Sequence, residues 1–301
     1  MRVVVGDSRM MSGNFLFATG LRFCVLLLSF IFVTPTFAEP ARRVTLGIVP
    51  YSSTISLFKT HKPLRDYLVA NFDPAVILMS STSYQQFYLD GLNGEFDIVS
   101  TSSHFVPGLM RKGYVPLVQY GTRLAFTIIV RKDSGIKTVA DLRGKRIGRP
   151  GFLSQYYCLG VEWLKHNDLY QEENMVGLNS HLTGLVALSN GIIDAVLATP
   201  QNIAQLPLEQ RRQFESLDIT GISFPSLFYM AHERLGSESI GKLHAVLNAF
   251  PSSQEGERFF SELTAYGGFK PVTAADLEEL QSYGELTERI LREQTNKDLP
   301  D

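Results

Sequence analysis

Two short segments of this 301-residue chain read alike. Gly94-Glu95-Phe96-Asp97-Ile98-Val99 and Gly191-Ile192-Ile193-Asp194-Ala195-Val196 each carry a helix-ending glycine, an aspartate three positions on, and a strand. Gly-x-x-Asp alone is a weak signal. The elements in front of it also match, and that constrains the fold.

Before the first copy come a strand at Arg43–Val49 and a helical pattern opening at Pro63 with Leu64, Tyr67 and Leu68 on one face. A strand at Val76–Met79 and a helix from Tyr84 ending at Gly94 follow. Before the second copy come a strand at Arg146–Gly148 and a helix from about Ser154 to Asn167. Then follow a strand at Met175–Leu178 and a helix ending at Gly191. Strand, helix, strand, helix, strand in each half predicts right-handed crossovers and a parallel sheet, twice.

Tyr120–Ser154 joins the halves. Its β-type run Phe126–Val130 reads as a crossing strand between two lobes, and Leu227–Ala231 as the run that crosses back. After a weak strand at Leu217–Ile222 come helices around Ile240–Phe250 and Gly256–Thr264. Gly267-Gly268 then breaks the pattern, a last amphipathic helix starts at Thr273, and the tail Gln294–Asp301 is expected to fray. The expected organisation is residues 39–125 with 226–301 as lobe 1 and 126–225 as lobe 2, with 1–38 a signal peptide.

The leader reading rests on Arg22, the apolar run Phe23–Val33, and Thr36-Phe37-Ala38 as a cleavage site. The run is shorter than the roughly 20 residues of a spanning helix. The mature chain is therefore expected to be exported, with Cys158 as its single thiol because Cys24 leaves with the leader. A hydrophobic content of 45% and a charged content of 19% describe a soluble chain with a sizeable core. A net charge of -2 gives no basic footprint, so nucleic acid is not an expected partner.

Ligands of open parallel sheets bind beyond the carboxyl ends of the strands. The residues there are Tyr51, Ser52, Ser53 and Thr54 after the first strand and Ser80–Ser83 after the second. Ser100, Thr101, Ser102, Ser103 and His104 leave the third. The other half contributes Ser154, Gln155, Asn179, Ser180, His181 and Thr199. Hydroxyls at such places commonly cap helices. Their recurrence at most strand ends points to a cleft of hydrogen-bond donors, with Tyr51, Tyr84, Phe105, Tyr156 and Tyr157 as walls and aromatic faces able to take a cationic group. His181, after a strand and before a helix, can donate to an anion. Asp194 can accept from a ligand amine, or serve as a turn element like Asp97. Catalysis finds little support: the chain has no Gly-x-Ser-x-Gly, no Walker loop and no His-Glu-x-x-His. Its six histidines show no metal-ligand spacing, and neither cofactor nor metal is expected.

Several motifs occur in a familiar order. They are Val44-Thr45-Leu46-Gly47-Ile48-Val49-Pro50, Pro63-Leu64 with Tyr67-Leu68, and Gly94-x-x-Asp97-Ile98. Asp133-Ser134-Gly135-Ile136 with Asp141-Leu142-Arg143-Gly144-Lys145 follows, then the His181 helix ending in Gly191-x-x-Asp194-Ala195, then Gly268-Phe269-x-Pro271-Val272. Together they resemble the phosphate/phosphonate-type periplasmic solute-binding proteins of ABC transporters. The resemblance implies an α/β, two-lobed periplasmic-binding-protein fold (type II, Venus-flytrap), each lobe a mainly parallel sheet flanked by helices. It also implies a small anionic ligand of the phosphonate, phosphate or other oxyanion kind, an ABC permease as partner, and no catalysis; a monomer is the simplest expectation. In that family a Ser-Thr-Ser-Gly-like loop and a following histidine hold the phosphonate. Ser154 and His181 match, while Gln155-Tyr156-Tyr157 stands where small residues belong, and His104 or Phe105 stands where the first lobe has a tyrosine. A receptor of the same fold for a membrane sensor kinase, and an enzyme of the pyrimidine-synthesis type, are the alternatives.

Overall fold

The computed structural model describes residues 43–72, 75–178, 181–204, 206–217, 219, 222–263 and 266–297. The expected leader with Cys24, Asn179-Ser180 and the side chain of His181 lie outside the described residues.

Strands Arg43–Ile48 (β1), Ala75–Met79 (β2) and Ile98–Ser102 (β3) pair in parallel with β1 in the middle. Helices Thr54–Phe72 (α1) and Tyr84–Leu92 (α2) make the crossovers. The first helix starts at Thr54, a correction to the expected start at Pro63. Ser53 accepts the amide of Ser56 and nucleates the helix early, and Pro63 lies inside it. A short helix, Val106–Met110 (α3), leads to Tyr114–Tyr120 (β4), a strand absent from the sequence reading. Pro116 argues against a central strand. It is tolerated because the ladder to the neighbouring strand skips Leu117 in a bulge.

The chain then passes through Arg123–Ala125 (β5) into Thr127–Arg131 (β6), Ile147–Arg149 (β7), helix Gln155–His166 (α4) and Met175–Gly177 (β8). Helix His181–Ser189 (α5), strand Ala195–Ala198 (β9), helices Pro200–Ala204 (α6) and Leu208–Arg211 (α7), and strand Phe214–Ser216 (β10) follow. It returns through Ser223–Pro225 (β11) to Leu227–His232 (β12). Helices Ser237–Ala249 (α8) and Gln254–Glu262 (α9), strand Phe269–Pro271 (β13) and helix Ala274–Lys297 (α10) complete it. The tail expected to fray from Gln294 is helical to Lys297.

A six-stranded sheet runs β13-β4-β12-β3-β1-β2, a five-stranded sheet β10-β6-β9-β7-β8, and a two-stranded ribbon β11-β5. Both large sheets are mixed, which corrects the expectation of mainly parallel ones. Each has a parallel half, β2-β1-β3 or β8-β7-β9. Each is completed by antiparallel strands, β12, β4 and β13 in one and β6 and β10 in the other. The added strands β6 and β12 arrive from the ribbon and run against the strands they join. The crossing itself is the antiparallel pair β5–β11, one step earlier than Phe126–Val130, whose residues from Thr127 already belong to the five-stranded sheet.

The repeat seen in the sequence is a repeat of packing. β1 and β7 hold equivalent places, and each has a glycine where a Cβ would strike its neighbour, Phe96 against Gly47 and Ile193 against Gly148. Strands β6 and β9 alternate between two cores. Ile128, Val130, Ala195 and Leu197 face one, while Ile129, Val196 and Ala198 face the other. The six-stranded sheet has one large core that includes Phe72, Phe87, Phe250 and Phe259. Each such fully buried aromatic contributes about 1.5–3 kcal/mol.

Candidate functional site

The carboxyl ends of β1, β3, β7 and β9 gather the loops singled out in the sequence, and most of their small hydroxyls are engaged within the fold. Ser80 Oγ donates to Ile48 O at 2.8 Å, and Ser81 Oγ to Asp90 at 2.6 Å. Ser83 and Ser154 accept N–H groups as caps of α2 and α4.

Two contacts tie the loop after β3 to the loop before α4. Ser103 Oγ and the Gln155 amide bond each other at 2.7–3.0 Å, both residues buried. His104 Nε2 lies 3.0 Å from Leu153 O. Leu153 presents that carbonyl from the left-handed region, φ 63°, an uncommon place for a branched residue that its complete burial holds. Burial lowers the pKa of His104 to about 4, against the opposing bonds to Leu153 and Gln155. The ring is therefore neutral, and its Nε2–H donates. Ser103, His104 and Gln155 thus form a clasp between the two halves.

Tyrosines gather at this end of the sheets. Tyr51 leaves β1, Tyr84 opens α2, Tyr156 lies in the first turn of α4, and Tyr266 precedes β13. Tyr266 packs against the cores of both large sheets. Behind it, Tyr120 lies 5.4 Å from the Tyr266 ring and 6.0 Å from Tyr229. Tyr156 bonds Thr199 at the end of β9 and meets Phe224 edge-on at 5.5 Å. Tyr84 faces Gly151 of the opposite loop. Burial, then neighbouring tyrosine hydroxyls, push the Tyr51, Tyr84 and Tyr156 phenols well up, and burial alone raises Tyr266. All four stay protonated and able to donate. The buried Tyr51 hydroxyl and Thr101 Oγ1 find no hydrogen-bond partner among the described residues.

The expected site residues thus divide. Tyr51, Tyr84 and Tyr156 neighbour one another, while Thr101 and Ser102 are buried within β3 and Ser52 is half-buried after β1. Ser103, His104 and Gln155 face one another, and Ser154 is committed to its cap. His181 opens α5. Asp194 does not join them: it lies before β9, at the opposite end of the strands. Its carboxylate accepts Arg146 N, Nε and Nη2 at 2.9–3.1 Å. Asp97 takes Thr45 N, Thr45 Oγ1 and Arg234 Nε in the same way, at 2.8–3.0 Å. The aspartates of the repeat are strand-start clamps. Tyr266, Tyr120 and Tyr229 were missed by the sequence reading, and the aromatic just before Gly267-Gly268 was the one available signal.

The sequence profile of the family described as ABC transporter, phosphonate, periplasmic substrate-binding protein matches residues 46–277. No curated protein matches the chain. Among solved structures, PhnD1 from Prochlorococcus marinus in complex with methylphosphonate is 14% identical, with a TM-score of 0.69 over 83% of this chain and 99% of that one. The binding-protein component of an ABC phosphonate transporter from Pseudomonas aeruginosa is 16% identical, with a TM-score of 0.67 over 83% and 88%. The periplasmic aliphatic sulphonate binding protein SsuA from Escherichia coli is 18% identical, with a TM-score of 0.57 over 86% and 94%. These likenesses give the type II periplasmic-binding fold, and neither the sensor-kinase receptor nor the pyrimidine-synthesis enzyme gains support from them. With two α/β halves joined by a ribbon, buried contacts between their loops at the strand ends and a profile match over most of its length, the chain belongs to the periplasmic substrate-binding proteins of phosphonate-type ABC transporters.

Proposed function

We propose that the protein captures a small solute bearing an oxyanion of the phosphonate or sulfonate kind in the tyrosine-lined cleft and delivers it to an ABC permease. The observation that carries this reading is the convergence of protonated tyrosine hydroxyls from separate loops, with the Tyr51 hydroxyl still able to bond a ligand. Neutral donors hold an anion through charge-assisted hydrogen bonds, each worth about 1.5–3 kcal/mol. His181, at the head of a nine-residue helix, supplies a further donor in this reading.

Residues 39–125 with 226–301, and 126–225, act as the two lobes, and the β5–β11 ribbon bends as they open and close. The Ser103–Gln155 and His104–Leu153 contacts belong to the closed form. Export follows removal of residues 1–38, so N-terminal sequencing of the secreted chain should begin at Glu39.

The test is calorimetric titration of the mature chain with methylphosphonate, phosphate, sulfate and methanesulfonate. At least one should bind at a single site, and His181→Ala should weaken it roughly 10- to 100-fold, the loss of one hydrogen bond to a charged group. Unchanged affinity in the variant removes His181 from the site. Failure of every oxyanion removes the ligand class.

A further inference from the structure

Strand β7 ends in Arg149, and the Arg149 side chain lines a cavity of 280 Å³. None of Tyr51, Tyr84, Tyr156 and Tyr266 lines it, so it is a different space from the one those tyrosines share. Gln85 at the head of α2, the outer side of α4 and the end of α10 supply its other walls. Phe152 and Tyr157 meet edge-on there at 5.2 Å, and Val161 and Ile290, both almost fully buried, add apolar surface.

The charged groups of the walls are unequally partnered. Lys165 Nζ lies 3.8 Å from Glu293 and over the Tyr170 ring at 5.5 Å, and Glu293 also faces Arg289 at 3.9 Å. Glu172 accepts the Tyr170 hydroxyl. Half-buried Arg149 has only a ring: its guanidinium lies over Tyr157 at 5.2 Å. Among the described residues no carboxylate pairs with it, and its buried Nε finds no hydrogen-bond partner. A guanidinium carries five N–H donors and cannot shed its charge. A bound anion would complete it.

The walls also select the anion. A planar guanidinium fork matches the paired oxygens of a carboxylate or a phosphate. A phosphate ester, close to doubly charged at pH 7, is repelled by Glu172 and Glu293, whereas a carboxylate brings a single charge. The cavity lies just below the range of about 300–1,000 Å³ that takes drug-sized ligands, so a carboxylate fills only part of it. Phe152, Val161 and Ile290 offer apolar contact to the remainder of the molecule. We infer that this cavity is a second binding site, for a small aromatic carboxylate whose oxygens meet Arg149 and whose ring lies among Phe152, Val161 and Ile290. The site is independent of the oxyanion reading above.

Calorimetric titration of the mature chain with benzoate, and with benzamide as its neutral isostere, tests this. Benzoate should bind about tenfold more tightly, the gain of a charge-assisted hydrogen bond over a neutral one. Arg149→Gln should bring benzoate to within about twofold of benzamide, and Tyr51→Phe, altered at the cleft, should leave benzoate affinity unchanged. If Arg149→Gln does not fold, Arg149→Lys, which keeps the charge and loses the fork, should weaken benzoate about three- to tenfold. Absence of benzoate binding, equal affinity for the two probes, or an Arg149 variant that binds benzoate like wild type overturns the inference and leaves the oxyanion reading standing. Benzoate binding that is lost in Tyr51→Phe and kept in Arg149→Gln places the probe in the cleft and overturns the inference as well.

Discussion

Asp194 and Asp97 show how one residue type, read as a candidate ligand contact, serves the scaffold. Each carboxylate accepts three hydrogen bonds, and in each case the arginine also bonds the carbonyl of the glycine three residues earlier. Bonds from Arg146 hold Asp194 below the usual carboxylate range. For Asp97, burial pushes the other way and the Thr45 and Arg234 bonds outweigh it. Asp194→Asn should therefore cost about 1–3 kcal/mol in a urea melt, toward the low end for a partly exposed pair, and leave solute affinity unchanged. Buried His61 behaves oppositely. Its Nδ1 donates to Leu57 O at 2.9 Å, and desolvation lowers its pKa to about 4. The unfolded chain takes up the proton first, so stability is complete above about pH 6.5 and is lost as pH falls toward 4, by roughly 3 kcal/mol at most for one such group. His61→Phe should flatten the decline of Tm between pH 7 and pH 5; a slope parallel to wild type would show that other groups cause it. At this scale the sequence revealed where side chains would sit. Tyr51, Tyr84 and Ser103 follow from strand ends, because a parallel sheet puts its loops on one edge. It did not reveal Tyr266, which reaches the cleft only because β13 returns to pair with β4.

The elements the sequence made legible are those with strong periodicity and clear ends: β1, β3, α4 with its Ser154 cap, and the two Gly-x-x-Asp turns. The elements it hid depend on distant partners. β4 carries Pro116, and only the bulge opposite Tyr229 and Met230 makes room for it. β5 and β11 are three residues each and exist as strands only through each other. The last helix, α10, adds a strap along the seam. Arg289 pairs with Glu162 at 3.1 Å, Lys165 with Glu293 at 3.8 Å, and Thr287 bonds the His104 carbonyl at 3.5 Å. Its surface ion pairs are worth at most about 1 kcal/mol each. The clasp is buried and so is not screened by solvent. A double-mutant cycle of Ser103→Ala and Gln155→Ala should give a coupling of about 1 kcal/mol in stability, and each single variant should shift the lobes toward the open form in solution scattering. Additive effects and an unchanged scattering profile would show that the two side chains merely adjoin.

For the whole molecule, two mixed sheets joined by one thin ribbon meet through the clasp, through Leu153 and Cys158 buried against the core of the six-stranded sheet, and through the α10 strap. Such a protein keeps some polar groups poorly satisfied until its solute arrives, and the Tyr51 hydroxyl is the clearest of these. A buried hydroxyl without a partner costs stability, and the same group gains a bond when an anion binds. The two effects give Tyr51→Phe opposite signs in two measurements on one variant. Thermal melting and calorimetric titration of Tyr51→Phe, with whichever oxyanion solute binds the wild type, should show the empty protein stabilised by about 1–2 kcal/mol and the affinity reduced about tenfold. A variant that binds as tightly as wild type, or one that loses stability and affinity together, would contradict a ligand site at this hydroxyl.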